Sequence, residues 1–212
     1  MKTKTTIFLA LPLFFMLTQS CTQDDIDCCD LGPDTKNLIH FYGEPISMHF
    51  DNAVYVEGFH LRFEVNSIDN LSNPEVFNKY AEMYGDTAYN QPISSAGASC
   101  MLDTIASINI YCDQPFLDKD SAASLNDYFL TSFYTHYYFI QSGYDRTKVD
   151  RLYYRTITEF NNEPIKHLFE PGCMIKFSDS LDLSGLSGPY KFTLEYKSFN
   201  GTTYTSSATV DF

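Results

Sequence analysis

The sequence predicts a mainly β protein: an antiparallel β-sandwich, with an immunoglobulin-like Greek key favoured and one short helix inserted. Three observations predict it. Phe59, Leu61, Phe63 and Val65 alternate strictly with His60, Arg62 and Glu64, which is the period of a half-buried strand. Tyr190, Phe192, Leu194 and Tyr196 alternate in the same way with Lys191, Thr193, Glu195 and Lys197. Asn200-Gly201 then follows as a hairpin turn of the type I′ kind. Only Ser72 to Gly85 carries a full set of helix signals.

In chain order, Leu38 to Tyr42 reads as a strand ended by Gly43 and Pro45, and Ile46 to Val56 as one or two more. The helix opens at Ser72-Asn73-Pro74-Glu75, with a cap, a first-turn proline and an early acid. Val76, Phe77, Tyr80, Ala81, Met83 and Tyr84 follow near helical spacing, and Gly85 stops it. Asp86 to Ser99 is loop, and Thr104 to Cys112 is strand. Tyr128 to Ile140 is aromatic and β-prone, Val149 to Glu159 alternates weakly, and Met174 to Phe177 is a short strand. Thr202 to Phe212 returns after the hairpin turn.

Of 212 residues, 44% are hydrophobic and 19% charged, a globular rather than a disordered balance. Lys2 and Lys4 precede Ile7 to Leu17, an apolar run of 11 residues. That is short of the roughly 20 needed to span a bilayer and fits the core of a signal peptide. Without Lys2 and Lys4, 12 basic residues face 27 acidic ones, a net charge of −15. Nucleic acid is therefore excluded as a partner, since it needs a basic footprint. Thr18-Gln19-Ser20-Cys21 admits two readings. Thr18 and Ser20 suit ordinary signal peptidase, and Cys21 suits a lipobox whose cysteine becomes the lipidated first residue. The chain then divides into a signal peptide (1–20), a lipid-anchored acidic tether (21–37) and a single β-rich domain (38–212).

Residues 1 to 27 resemble those of small surface-exposed lipoproteins of the Bacteroidota type, whose boxes are looser than the common bacterial pattern. Here Leu17 stands at −4 and Gln19 at −2, and Thr22-Gln23-Asp24-Asp25-Ile26-Asp27 follows as an acidic run. The resemblance implies acylation at Cys21, palmitate included, and a membrane partner engaged through that anchor. It implies a place on the outer membrane facing the cell exterior, and no specific activity. The same acids also read as a plain solvated tether. The resemblance further implies O-glycosylation at Asp-(Ser/Thr)-apolar triplets, found at Asp86-Thr87-Ala88, Asp103-Thr104-Ile105, Asp120-Ser121-Ala122 and Asp179-Ser180-Leu181.

An oxidising compartment permits disulfides, and Cys28, Cys29, Cys100, Cys112 and Cys173 are the candidates once Cys21 is set aside. A Cys100–Cys112 bridge requires a bend near Asp103, because an extended strand would part the two by ~40 Å. No C-x-x-C or zinc spacing occurs, and no cofactor is expected. Ser184-Gly185-Leu186-Ser187-Gly188-Pro189 reads as a turn rather than a nucleophile elbow. His40, His49 and His60 are candidates for a base or ligand. Asp113, Asp118 and Asp120 share one loop but lack the glycine of a calcium loop. Residues 128–154 hold ten aromatics. If Tyr137-Tyr138 and Tyr153-Tyr154 lie on strands, each pair turns one ring outward, which would build a binding platform. The expectation is a non-enzymatic envelope module for a glycan or protein ligand. An accessory subunit of an envelope complex comes next, and a hydrolase last.

Overall fold

Residues 37–53, 58–90, 98–102, 104–148, 154–163 and 167–212 are described by a computed structural model of the chain. The fold is mainly β, with 47% strand and 15% helix. In order the elements are β1 (Ile39–Asn52), β2 (Gly58–Asp69), α1 (Pro74–Tyr84), β3 (Ala98–Met101), β4 (Ile105–Cys112) and β5 (Phe129–Ser132). Then come α2 (Tyr137–Gln141), β6 (Arg155–Thr156), α3 (Ile157–Asn161), β7 (Gly172–Phe177), β8 (Pro189–Ser198) and β9 (Thr203–Asp211). The strands form two open sheets, a six-stranded one ordered β3-β1-β2-β7-β5-β6 and a three-stranded one ordered β4-β8-β9. Strand β3 runs parallel to β1, and every other pairing is antiparallel. This six-and-three order with a parallel edge pair does not match the four-plus-three antiparallel strands of an immunoglobulin domain.

Strand β1 is continuous where the sequence suggests a break. The break is a β-bulge between Pro45 and Ser47. One extra residue shifts the alternation by one, so the strand changes the face it buries. Before the bulge Tyr42 packs on Phe77 and Tyr80 of α1, with ring centroids 5.3 and 5.7 Å apart. After it Phe50 stacks on Phe59 at 4.4 Å, and Phe59 lies 5.7 Å from Phe192 of the other sheet. Two cores result. The larger joins both sheets through Phe59, Leu61, Phe63, Ile110, Phe129, Phe177 and Phe192. The smaller packs Tyr42, Ile68, Phe77, Phe139 and Tyr144 under α1 and α2.

Helix α1 forms as its signals predict. Asn73 Oδ1 accepts from Val76 N at 3.4 Å, and Gly85 closes the helix at φ 74°, where glycine carries no Cβ penalty. The segment Tyr128 to Ile140 departs from expectation. Only Phe129–Ser132 is strand, and Tyr137–Gln141 turns into a helix whose Phe139 and Ile140 are buried. Helix α3 also stands where weak alternation suggests strand. It carries a full capping box between Thr156 and Glu159, a signal present as Thr156-Ile157-Thr158-Glu159. At the β8–β9 hairpin only Gly201 has positive φ, at 91°. The turn is therefore not type I′, which needs two such residues. It is a type I turn closed by Gly201 N to Ser198 O and followed by a glycine bulge.

The free edge of β4 is covered by side chains. Asn161 Oδ1 accepts from Ile108 N and its Nδ2 donates to Ile108 O, at 2.9 and 2.7 Å. Asn126 Oδ1 accepts from Ile110 N at 2.9 Å while its Nδ2 also reaches Ile108 O at 3.1 Å. Two carboxamides thus stand in for a missing strand, which closes an edge otherwise open to pairing with another chain. Replacing either Asn126 or Asn161 by Ala should destabilise the fold by about 1–3 kcal/mol, because a buried N–H of β4 loses its acceptor. Denaturant unfolding measures this, and two unperturbed midpoints would reject the capping role.

Candidate functional site

Among the described residues, Tyr137 and Tyr138 touch each other while no ring contact joins them to Tyr154. Tyr137 and Tyr138 sit on α2, edge to face at 5.6 Å, and Tyr137 also leans on His167 at 5.7 Å. On a helix, neighbours diverge by about 100° rather than taking opposite faces, and here Tyr138 is exposed at 38% while Tyr137 is half-buried. Tyr154 is 54% exposed and lies under Lys176 Nζ, 5.1 Å from its ring centroid. Tyr153, Cys21, Cys28 and Cys29 lie outside the described residues, as does the bend expected at Asp103.

The expected disulfides are corrected for Cys100, Cys112 and Cys173, which are all free thiols. Cys100 and Cys112 fall in different sheets. Each thiol has another neighbour: Cys100 Sγ donates to Leu168 O at 3.4 Å, Cys112 Sγ to Asp113 Oδ1 at 3.7 Å, and Cys173 Sγ lies 3.5 Å from Thr131 Oγ1. Burial pushes all three thiols up, Cys173 to about 12, which removes the reactive thiolate. In the acidic loop the Tyr128 hydroxyl donates to Asp118 and holds its carboxyl below the usual range. Among the described residues no three His, Cys, Asp or Glu side chains converge to hold a metal. Ser184 is spent in a local turn, its N and Oγ donating to Asp182 Oδ1 at 3.0 and 2.6 Å.

The three strand histidines separate. His49 and His60 lie on the wet face of the β1–β2 pair, in a cross-strand charge ladder. His49 Nε2 is 3.3 Å from Glu64 Oε1, and Arg62 is 3.1 Å from Asp51. The Ser47 hydroxyl, donating at 2.7 Å, and His49 together hold Glu64 below its ordinary value. His40 shares the face of Tyr42, under the helices.

There the structure gathers polar groups that sequence reading missed. Asp86, in the loop after α1, is fully buried. Its carboxylate accepts from Leu38 N, Ile39 N and the Tyr144 hydroxyl, each at 2.8 Å. Asn37 Nδ2 donates to its main-chain carbonyl. Tyr144 sits at φ 64°, costly for a bulky residue, and its bond to Asp86 helps to hold it there. His136 caps α2, with Nε2 3.6 Å from Glu170 Oε1. Burial raises the Asp86 carboxyl above its ordinary value, outweighing the three donors that pull it down. Asp86 looks like a loop residue in sequence, and only its position directly after a helix-stopping glycine hinted at a fixed role.

A cleft of about 260 Å³ opens on the opposite face of the same strands, lined by Phe41, Gly43, Val65, Ser67, Ser99, Cys100 and Pro171. Gly43 pairs with Ser67 across β1 and β2. Val65 and Ser67 continue the face that carries Phe63, so the cleft lies where the three-stranded sheet stops covering the larger one. Gly43 must be glycine, since a Cβ there would come within 2.7 Å of Val65 Cβ. The Phe41 ring is 38% exposed at the rim. No hydrogen bond ties down the Ser67 or Ser99 hydroxyl among the described residues. The volume falls below the ~300–1,000 Å³ of typical small-molecule pockets. It suits one side chain or one sugar ring rather than a nucleotide cofactor.

No family model, no curated protein and no solved structure matches the chain.

The Asp86 geometry sets a pH dependence. A carboxyl raised by burial contributes stability in full below its unfolded value of about 4, and that contribution is lost as pH rises through the folded value. Asp86→Asn removes this titration and one acceptor. The thermal stability advantage of the native chain over the variant should therefore shrink between pH 4 and pH 7. Thermal unfolding across that range tests it, and an advantage that grows with pH would contradict it.

Proposed function

We propose that the chain is a lipid-anchored envelope protein that acts as a non-enzymatic binding module. Cys21 carries the lipid, the acidic segment to residue 37 is the tether, and the β-rich body faces the exterior of the outer membrane. The observation that carries the binding reading is the cleft at the end of the large sheet. It sets the Phe41 ring beside two untied serine hydroxyls, Ser67 and Ser99. An aromatic face with nearby hydroxyls suits a sugar ring or a single protein side chain. Tyr138 and Tyr154 are separate exposed contacts rather than a shared platform. We also read the two sheets as the layers of a sandwich, because Phe63 of one sheet meets Tyr196 and Tyr204 of the other at 4.8 and 6.2 Å. The role of accessory subunit is supported by Ile46 and Phe199, which stand 64% and 72% exposed.

Two experiments test the proposal. Metabolic labelling with a fatty-acid analogue should mark the native chain and not Cys21→Ala, and equal labelling would remove the anchor. A glycan array and a protein pull-down, both run with Cys21→Ser chain, should yield a ligand. Phe41→Ala should weaken that ligand at least ~10-fold, the loss of about 1.4 kcal/mol, with an unchanged unfolding midpoint. Equal binding by Phe41→Ala would exclude the cleft.

A further inference from the structure

We infer that the cleft at the end of the large sheet takes a primary ammonium group carried on an apolar stem, the chemistry of a lysine side chain or of a free alkylamine. The inference rests on the cleft being the binding site. Among the described residues the lining holds no basic side chain. The strand register shows what stands beside it. Phe41 pairs with Ser99 of β3 on one side and with Asp69 of β2 on the other. Gly43 pairs with Ser67 in the next rung, and Pro45 with Val65 beyond it. Residues paired directly across strands share a face. The hollow is therefore the place where Gly43 lacks a side chain. Asp69 stands at its rim, across from Phe41 and next to Ser67 on that face of β2.

Asp69 supplies the charge. Its carboxylate accepts from the Ser72 hydroxyl, Ser72 N and Leu71 N at 2.6, 2.7 and 2.8 Å. These bonds, the Ser72 hydroxyl foremost, hold the carboxyl below its ordinary value. None of the three donors is charged, and among the described residues no basic side chain forms an ion pair with Asp69. The His40 ring lies 6.4 Å from that of Phe41, and burial pushes its imidazole down, so it adds no competing charge at neutral pH.

Each part of an alkylammonium finds a match. Val65, Pro171 and the Phe41 ring take the stem, since long basic side chains lay theirs along apolar surface. The exposed Phe41 ring attracts a cation over its face, and Ser67 Oγ is an available acceptor. Ser67 and Asp69 have Cα atoms about 6.6–7 Å apart. A charge held at that hydroxyl lies inside the screening length of about 8 Å at physiological salt. Other occupants fit less well. A carboxylate or phosphate meets Asp69 and no cation. A neutral sugar leaves the carboxylate uncompensated. A guanidinium seeks two open carboxylate oxygens, and both oxygens of Asp69 are already engaged. An ammonium is a point charge and has no such need.

The test titrates the full chain carrying Cys21→Ser with three probes and follows the backbone magnetic resonance signals of Phe41, Ser67 and Ser99. The probes are Nα-acetyl-lysine methylamide, the uncharged Nα-acetyl-norleucine methylamide and n-butylammonium. The lysine probe should bind at least ~5-fold more tightly than the norleucine probe, the scale of one unit charge at close range in water. Asp69→Asn should remove that advantage, because the side-chain carbonyl of asparagine still serves the turn while the charge is gone. Raising the salt should erode the same advantage in the chain with Asp69 intact, a measurement independent of how the variant folds. Tighter binding of the lysine probe than of n-butylammonium supports the ammonium and assigns it to a protein side chain. Equal binding of those two supports the ammonium and assigns it to a free amine. Equal binding of the lysine and norleucine probes overturns the inference and leaves the cleft standing as a site. No response of these signals to any probe overturns the inference and the cleft reading together.

Discussion

The fold depends on one extra residue in β1. A strand without the bulge would point Tyr42 and Phe50 to the same side, because both numbers are even. The irregularity between Pro45 and Ser47 sends them to opposite sides. The first half of β1 can then build the small core under α1 and α2, and the second half the large core between the sheets. Strand β2 manages the same division without a bulge, since Phe59, Leu61 and Phe63 are odd while Ile68 is even. The register partners Met48–Phe63 and Tyr42–Ile68 lock the two solutions together. The inserted residue is left over, which accounts for an isoleucine held mostly in water.

The same switch positions the two places of chemical interest. On one side of the upper strands lie the helices, with Asp86 bonded to Leu38 and Ile39 at the start of β1. On the other side lies the cleft, whose lining among the described residues comes from β1, β2, β3 and Pro171. Most of the ring-bearing residues are consumed in packing. Phe116 alone contacts Tyr128, Phe177, Tyr190, Phe192 and Phe212. The exposed rings are scattered survivors of that arrangement.

Local signals were legible where local physics decides. Asn73, Pro74 and Gly85 place α1 to within a residue, and the alternation of β2 and β8 is visible because one face of each is wet. The tyrosine-rich segment departs from its strand pattern because aromatic residues favour strands only when a neighbour is there to pair. After Ser132 the chain leaves the sheet, and burial of Phe139 and Ile140 is better met by a helical turn. The capping box of α3 was in the sequence and was outweighed by alternation. Sheet order, the face switch in β1 and the buried state of Asp86 all depend on partners distant in sequence, such as the 47 residues from Asp86 to Ile39. No local pattern encodes them.

The carboxamides along β4 carry a consequence for chemical ageing. Each presents a donor and an acceptor in one plane, and the backbone opposite uses both. Hydrolysis of either amide to a carboxylate would leave the size almost unchanged and replace the donor with a second acceptor. The carbonyl of Ile108 would then face negative charge where it now receives two N–H groups. Covalent damage too small to alter the shape of the side chain would thus uncover the strand, and old preparations would self-associate while their sequence still seemed intact. The shelf life of this domain is written in two side-chain nitrogens.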